Sequence, residues 1–280
     1  DKKVLIDYTK RVLIYYVISI IIYLPINIYN GVFSSLTFLG LLKELLITGT
    51  FYHLWYFPAL ILGIWITYFI LKNMKEKQAS IIFVILFMIG LLGDSYYGLL
   101  NGISLLENIY GVIFKIFDYT RNGLFYVPIF LYLGYLSNSQ KLKIEKKKNI
   151  ILIIVSLILM LIEGYLLHSQ AYQEHTSMYL FLVPLMIFIF MYLINNPGKE
   201  EKYLRRVSTV IYIIHPWFIV LIVKLSGLLK LNKYLTDNTI IHFLLVLILT
   251  LSFSFIFEYL LEKAPKKKLN VKSKKGKNKK

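Results

Sequence analysis

Residues 149–167 read NIILIIVSLILMLIEGYLL, nineteen residues with one charge, Glu163, directly after the lysines Lys146, Lys147 and Lys148. A helix of this length crosses the roughly 30 Å hydrocarbon core of a bilayer, where no water satisfies free backbone groups. Seven other stretches have the same character: Val12 to Tyr29, Tyr52 to Leu71, Ser80 to Leu100, Gly123 to Ser137, Ser177 to Ile194, Val207 to Val223 and Thr239 to Leu261. The whole chain agrees, with 58% apolar and 17% charged residues, against roughly 45–50% and 25% in a soluble domain. The expected fold is an all-α polytopic integral membrane helix bundle of about eight transmembrane helices.

Alternate loops differ in charge. With the amino terminus inside, all but six of the 32 Lys and Arg residues fall in cytoplasmic segments; Lys43, Lys115, Arg121, Lys224, Lys230 and Lys233 fall outside. Cytoplasmic loops carry the Lys and Arg excess in membrane proteins, so both termini are expected in the cytoplasm. Residues 265–280 read as a basic cytoplasmic tail, an anchor of topology that also attracts anionic lipid. A net charge of +17 in a soluble chain would suggest nucleic acid; the apolar context argues against that partner here. Two longer outer segments, Asn30 to Phe51 and Asn101 to Asn122, carry apolar residues and read as short interfacial helices. There is no cysteine, hence no disulfide and no thiolate metal site.

Ionisable groups near membrane depth default to functional hypotheses. On the outer side these are His53, Asp94, Asp118, Arg121, Asn122, Glu163 and His175, with His168 beside them. Asp118 and Arg121, three apart, meet on one face if their segment is helical. Arg121 is the one arginine outside, and a guanidinium suits carboxylate or phosphate. His53 in FYHLWYFP also fits an aromatic interfacial belt. His215 precedes Pro216, which frees a carbonyl one turn back; the histidine either lines a cavity or takes up that carbonyl. His242 and Glu258 on the last stretch read as snorkelling or paired groups. His168, Glu174 and His175 match no standard metal-ligand spacing, and no phosphate loop, zinc helix or nucleophile elbow occurs.

The segments TFYHLWYFPAL (50–60), GLLGDSYYGL (90–99), DYTRNGLFYVPIF (118–130), EHTSMYLFLVP (174–184) and STVIYIIHPW (208–217) resemble the acyltransferase family 3 membrane domain. The likeness is to the version that forms the membrane half of the serine racemase of vancomycin-resistance clusters. The resemblance implies a bacterial plasma-membrane location and an acyltransferase-3-like domain over residues 1–264. It also implies ten spans, with a proposed catalytic histidine in the first; this chain starts with Asp1 where the third would begin. That histidine and a pyridoxal-phosphate racemase half are therefore expected outside these residues. Two activities are implied. One is transfer of an acyl group, from an acyl-CoA type donor that is not tightly bound, to a hydroxyl of an extracytoplasmic envelope glycan or other acceptor. The other is binding or uptake of L-serine, with Arg121 for the carboxylate and Asp94, Asp118 or Glu163 for the ammonium. A non-catalytic membrane scaffold is the third expectation. The substrate-binding set is His53, Asp94, Asp118, Arg121, Asn122, Glu163, His175 and His215.

Overall fold

The computed structural model describes residues 2–34, 36–139, 144–199 and 201–263. Lys141, Lys143 and the expected basic tail, 265–280, lie outside the described residues. Among the described residues the chain is helix and turn, with no strand. The helices are α1 (Lys2–Tyr29), α2 (Phe38–Lys43), α3 (Tyr56–Asn73), α4 (Glu76–Leu92), α5 (Ser104–Phe117) and α6 (Val127–Ser139). They continue as α7 (Lys146–Ser169), α8 (Leu182–Asn195), α9 (Lys202–Leu229), α10 (Asn232–Leu235) and α11 (Thr239–Lys263). Five of them, α1, α3, α7, α9 and α11, are long and apolar enough to cross a membrane. Ile151, Leu161 and Tyr165 on α7 and Phe243 and Ile248 on α11 stand exposed, an apolar surface suited to hydrocarbon rather than water.

Every expected span contains a helix, but several helices are shorter than hydropathy alone suggests. Proline sets three of the starts. Pro58, Pro128 and Pro184 each sit in the first turn of α3, α6 and α8, where a missing N–H has no helical partner to lose. The chain therefore enters these helices late, and residues 52–55, 123–126 and 177–181 are not helical. The third span is cut short at the other end. α4 stops at Leu92, and residues 93–100 turn away through a short 3-10 segment, Tyr97–Leu100. A side chain at Gly93 would lie 2.6 Å from Thr120 Cγ2 and 2.7 Å from Tyr110 Cε1, so that turn is packed tightly under neighbouring elements.

The chain divides into two compact units, Asp1–Gly198 and Lys199–Lys280, where the sequence reads as one membrane domain. The change falls at Asn196, Pro197 and Gly198, after the last turn of α8. In the first unit α3 packs on α1 and α6, α6 on α4 and α8, and α7 on α8. Phe83, Phe87, Leu91, Ile129 and Met178 form its buried centre. The α3–α6 contact depends on glycine: a Cβ on Gly63 would lie 2.5 Å from Val127 Cγ1, and one on Gly123 2.5 Å from the Ala59 carbonyl oxygen. In the second unit α9 and α11 pair along their length. Arg206 joins Glu258 at 2.7 Å and also bonds Glu262; Glu258, expected to snorkel or to pair near Lys263, takes its partner from α9 instead.

Overpacking a close contact costs about 1–3 kcal/mol. Gly123→Ala is accordingly expected to lower the melting temperature of the detergent-purified protein. Gly134→Ala, where nothing lies within 4 Å of the added carbon, is expected to leave melting unchanged or raise it, because alanine is the better helix former.

Candidate functional site

The interrupted helix ends of the first unit meet one another. Glu174 and His175 donate their backbone N–H groups to the Asp94 carbonyl at 3.1 and 3.4 Å, and Gly98 N–H donates to the Tyr172 carbonyl at 2.7 Å. Ser95 Oγ donates to the His175 carbonyl at 3.2 Å. Thr120 Oγ1 donates to the Gly90 carbonyl at 2.7 Å. Tyr119 OH bonds the Thr48 carbonyl, and Asn27 Nδ2 donates to the Thr50 carbonyl at 2.7 Å. Gly49, at φ +81, turns so that its backbone lies against Leu54 and Trp55, a conformation that side chains resist.

At the centre is Asp94, past the end of α4 and fully buried. Its Oδ1 accepts from Ser177 N–H at 2.7 Å, Met178 N–H at 2.9 Å and Ser95 Oγ at 3.1 Å. Its Oδ2 is buried and has no hydrogen-bond partner. The His175 ring lies near enough to act on this carboxyl through its field.

Arg121 stands next to this carboxylate's support. Its Nη1 donates to Ser177 Oγ at 3.2 Å, and its guanidinium lies 4.8 Å from the Tyr119 ring centre and 5.3 Å from that of Trp55. Contacts of this kind are worth about 0.5–2 kcal/mol and fix the plane of the guanidinium. Its Nε is buried without a partner. Tyr126, in the turn before α6, stands within the field of both groups. His175 turns its ring edge-on to Tyr119 at 6.2 Å.

The other expected site residues have different occupations. Asp118 and Arg121 do not meet on a helix face, because α5 ends at Phe117 and Asp118 has φ 60 and ψ −38. Asp118 is exposed and pairs with Lys43, whose Nζ also donates to the Lys115 carbonyl at 3.0 Å. Asn122 folds the turn before α6, its Oδ1 accepting from Leu124 and Phe125 N–H at 2.8 and 3.0 Å. Glu163 holds the start of α8: Oε1 accepts from Leu180 N–H and Tyr96 OH at 2.6 Å each, and Oε2 from Phe181 N–H at 3.0 Å. His53 is buried against the rings of Tyr23, Phe51 and Tyr52. His215 belongs to the second unit, and its Nδ1 lies 3.2 and 3.0 Å from the Ile211 and Tyr212 carbonyls. The Tyr212 carbonyl is the one Pro216 leaves without a helical donor, so α9 continues through the proline. Among the described residues no group of His, Cys, Asp and Glu could hold a metal ion.

Trp55, Tyr119, Tyr126 and Ser177 are the site residues that sequence reasoning misses. The available signal is the set of aromatic residues beside the arginine in DYTRNGLFY, with a proline five to seven residues after each of His53, Asn122 and Ser177.

Long apolar helices with buried polar groups gathered at interrupted helix ends define a multi-span helical membrane protein. The chain belongs to acyltransferase family 3, whose profile, described as an acyltransferase domain, matches residues 2–259. It is similar to an amino-acid racemase of Enterococcus faecalis, 36% identical over 248 residues, covering 88% of this chain and 35% of that protein. A second amino-acid racemase of Enterococcus faecalis is 37% identical, covering 88% and 34%. A serine/alanine racemase of Enterococcus gallinarum is 35% identical, covering 84% and 33%. The chain thus spans about a third of the length of these relatives. These names carry the racemase part of the expected resemblance and none mentions vancomycin resistance. No solved structure matches.

Glu163→Leu strands the Leu180 and Phe181 amides and the Tyr96 hydroxyl, at about 1–3 kcal/mol for a buried unsatisfied group. Faster hydrogen exchange at residues 180–182 and a lower melting temperature are expected, with Glu163→Gln falling between this variant and the parent.

Proposed function

We propose that this membrane domain binds a small zwitterionic amino acid, L-serine being the one to test, and carries it across the bilayer. The observation that carries the reading is the pair of buried, unpartnered atoms Asp94 Oδ2 and Arg121 Nε, joined through Ser177, whose N–H and Oγ serve the two residues. An amino acid presents a carboxylate and an ammonium on adjoining atoms. Arg121 takes the carboxylate through charge-assisted hydrogen bonds, Asp94 Oδ2 takes the ammonium, and the Tyr119 and Trp55 faces hold the guanidinium in place. Asp118 and Glu163 drop out of the ammonium set, since Lys43 and the α8 amides occupy them. Similarity to racemases of amino acids supports the reading, because a domain that delivers the free amino acid complements an enzyme that consumes it. In this reading each of the eight apolar stretches contributes one spanning helix, the basic segments and both termini are cytoplasmic, and the polar site faces outward.

The family profile favours a second reading, transfer of an acyl group from an acyl-CoA type donor to an envelope hydroxyl. Within the set described above Glu163 is engaged with backbone amides and His215 with carbonyls, so the bare Asp94 Oδ2 and the His175 ring are the groups left for a general base.

Radiolabelled L-serine uptake into vesicles bearing the chain is the test. Arg121→Lys keeps the charge and loses the fork; the apparent affinity is expected to fall by about tenfold, roughly the 1.4 kcal/mol of one charge-assisted bond. Uptake unaltered by the substitution would remove Arg121 from the site, and acylation of an envelope glycan without serine uptake would favour the second reading.

A further inference from the structure

The site contains a carboxyl group with one oxygen fully engaged and the other bare. Around Asp94, its own segment offers the Ser95 hydroxyl, while Tyr96 turns its phenol to Glu163. The segment before α8 offers the Ser177 and Met178 amides and the His175 ring, with Glu174 touching it only through the backbone. The segment before α6 offers Tyr126 and, beyond Ser177, Arg121. From α5, the Tyr110 hydroxyl donates to the Ile89 carbonyl at 2.7 Å. The ion pairs among the described residues do not include Asp94. Taking a charge out of water without a cation beside it is expensive, and a carboxyl group meets that cost by holding its proton.

We propose that binding of the amino acid displaces a proton from Asp94, so that each zwitterion taken up at this site is exchanged for one proton. The inference rests on the amino-acid reading of the same site. In the ligand-free protein Oδ2 carries the hydrogen. When the ammonium arrives, the O–H bond breaks, its electron pair stays on Oδ2, and the proton passes to water. No bond of the ligand is broken. The Oδ1 hydrogen bonds to Ser177, Met178 and Ser95 persist in both states, so the carboxylate plane does not have to move.

The sign of the pH dependence follows. The ionised carboxylate is the form that receives the ammonium. Affinity therefore rises with pH until Asp94 is ionised in the ligand-free protein, and falls tenfold for each pH unit below that point, the linkage of one proton. Glu44, a carboxyl raised by burial with Asp118 contributing, serves as the control outside the site.

The test uses the full chain in detergent or vesicles with L-serine as the probe. Serine affinity is measured across pH 4.5–8, proton release is followed with an indicator dye in weak buffer, and infrared difference spectra are recorded on serine addition. The expected result is release that approaches one proton per serine at the low end of the range. Loss of a protonated-carboxyl C=O band should accompany it, in the parent and in Glu44→Gln but not in Asp94→Asn. If Asp94→Asn does not fold, the parent and Glu44→Gln spectra still decide. Serine binding with pH-independent affinity and no proton release overturns the exchange and leaves the amino-acid reading standing. Absence of serine binding at every pH overturns both.

Discussion

Backbone N–H groups that no helix satisfies are the constraint on which the first unit depends. Three helices begin at prolines, and the segments leading into them still carry amides that must be paired once buried. Asp94 takes those of Ser177 and Met178, Glu163 those of Leu180 and Phe181, and Asn122 those of Leu124 and Phe125. Asp94 and Glu163 hold the start of α8 to other parts of the chain, while Asn122 folds the turn before α6 on itself. Asp94 ties the end of α4 to the approach to α8, and Glu163 ties α7 to the same approach. The polar residues that look like a list of ligands in the sequence are therefore first the joints of a broken bundle.

The division of labour inside one carboxylate turns a joint into a site. Asp94 Oδ1 holds backbone, and Oδ2 has nothing to hold. Glu163 uses both oxygens and has no such reserve. The same contrast separates the two groups flanking the strained turn at Asp118. Asp118 is spent on Lys43, while Arg121, three residues on, is steadied by two rings and keeps a buried Nε open. Chemistry near the site is thus concentrated in the atoms that the fold leaves over.

Much of this is legible in the amino-acid sequence. Apolar stretches and charge locate the helices, and Asp94, Arg121 and His175 stand out as polar groups on one side. Helix ends are less legible, because hydropathy does not distinguish a helix from an apolar turn such as Phe51 to Trp55 or Leu180 to Phe181. Pro58, Pro128 and Pro184 are the available correction. The expected pairing of Asp118 with Arg121 fails for a related reason. Spacing of three predicts contact only on a helix, and α5 ends at Phe117, before either residue.

By itself the sequence determined that the chain is a helical membrane protein with a set of polar exceptions in and beside its apolar stretches, because bilayer hydrocarbon demands long apolar helices and makes each polar exception conspicuous. Only the tertiary structure decided which exceptions are structural and which are open. That decision depends on helix rotation and on contacts between residues more than eighty positions apart, such as Asp94 with Ser177 and Met178. No local pattern encodes those contacts, since each partner amide is anonymous in the sequence.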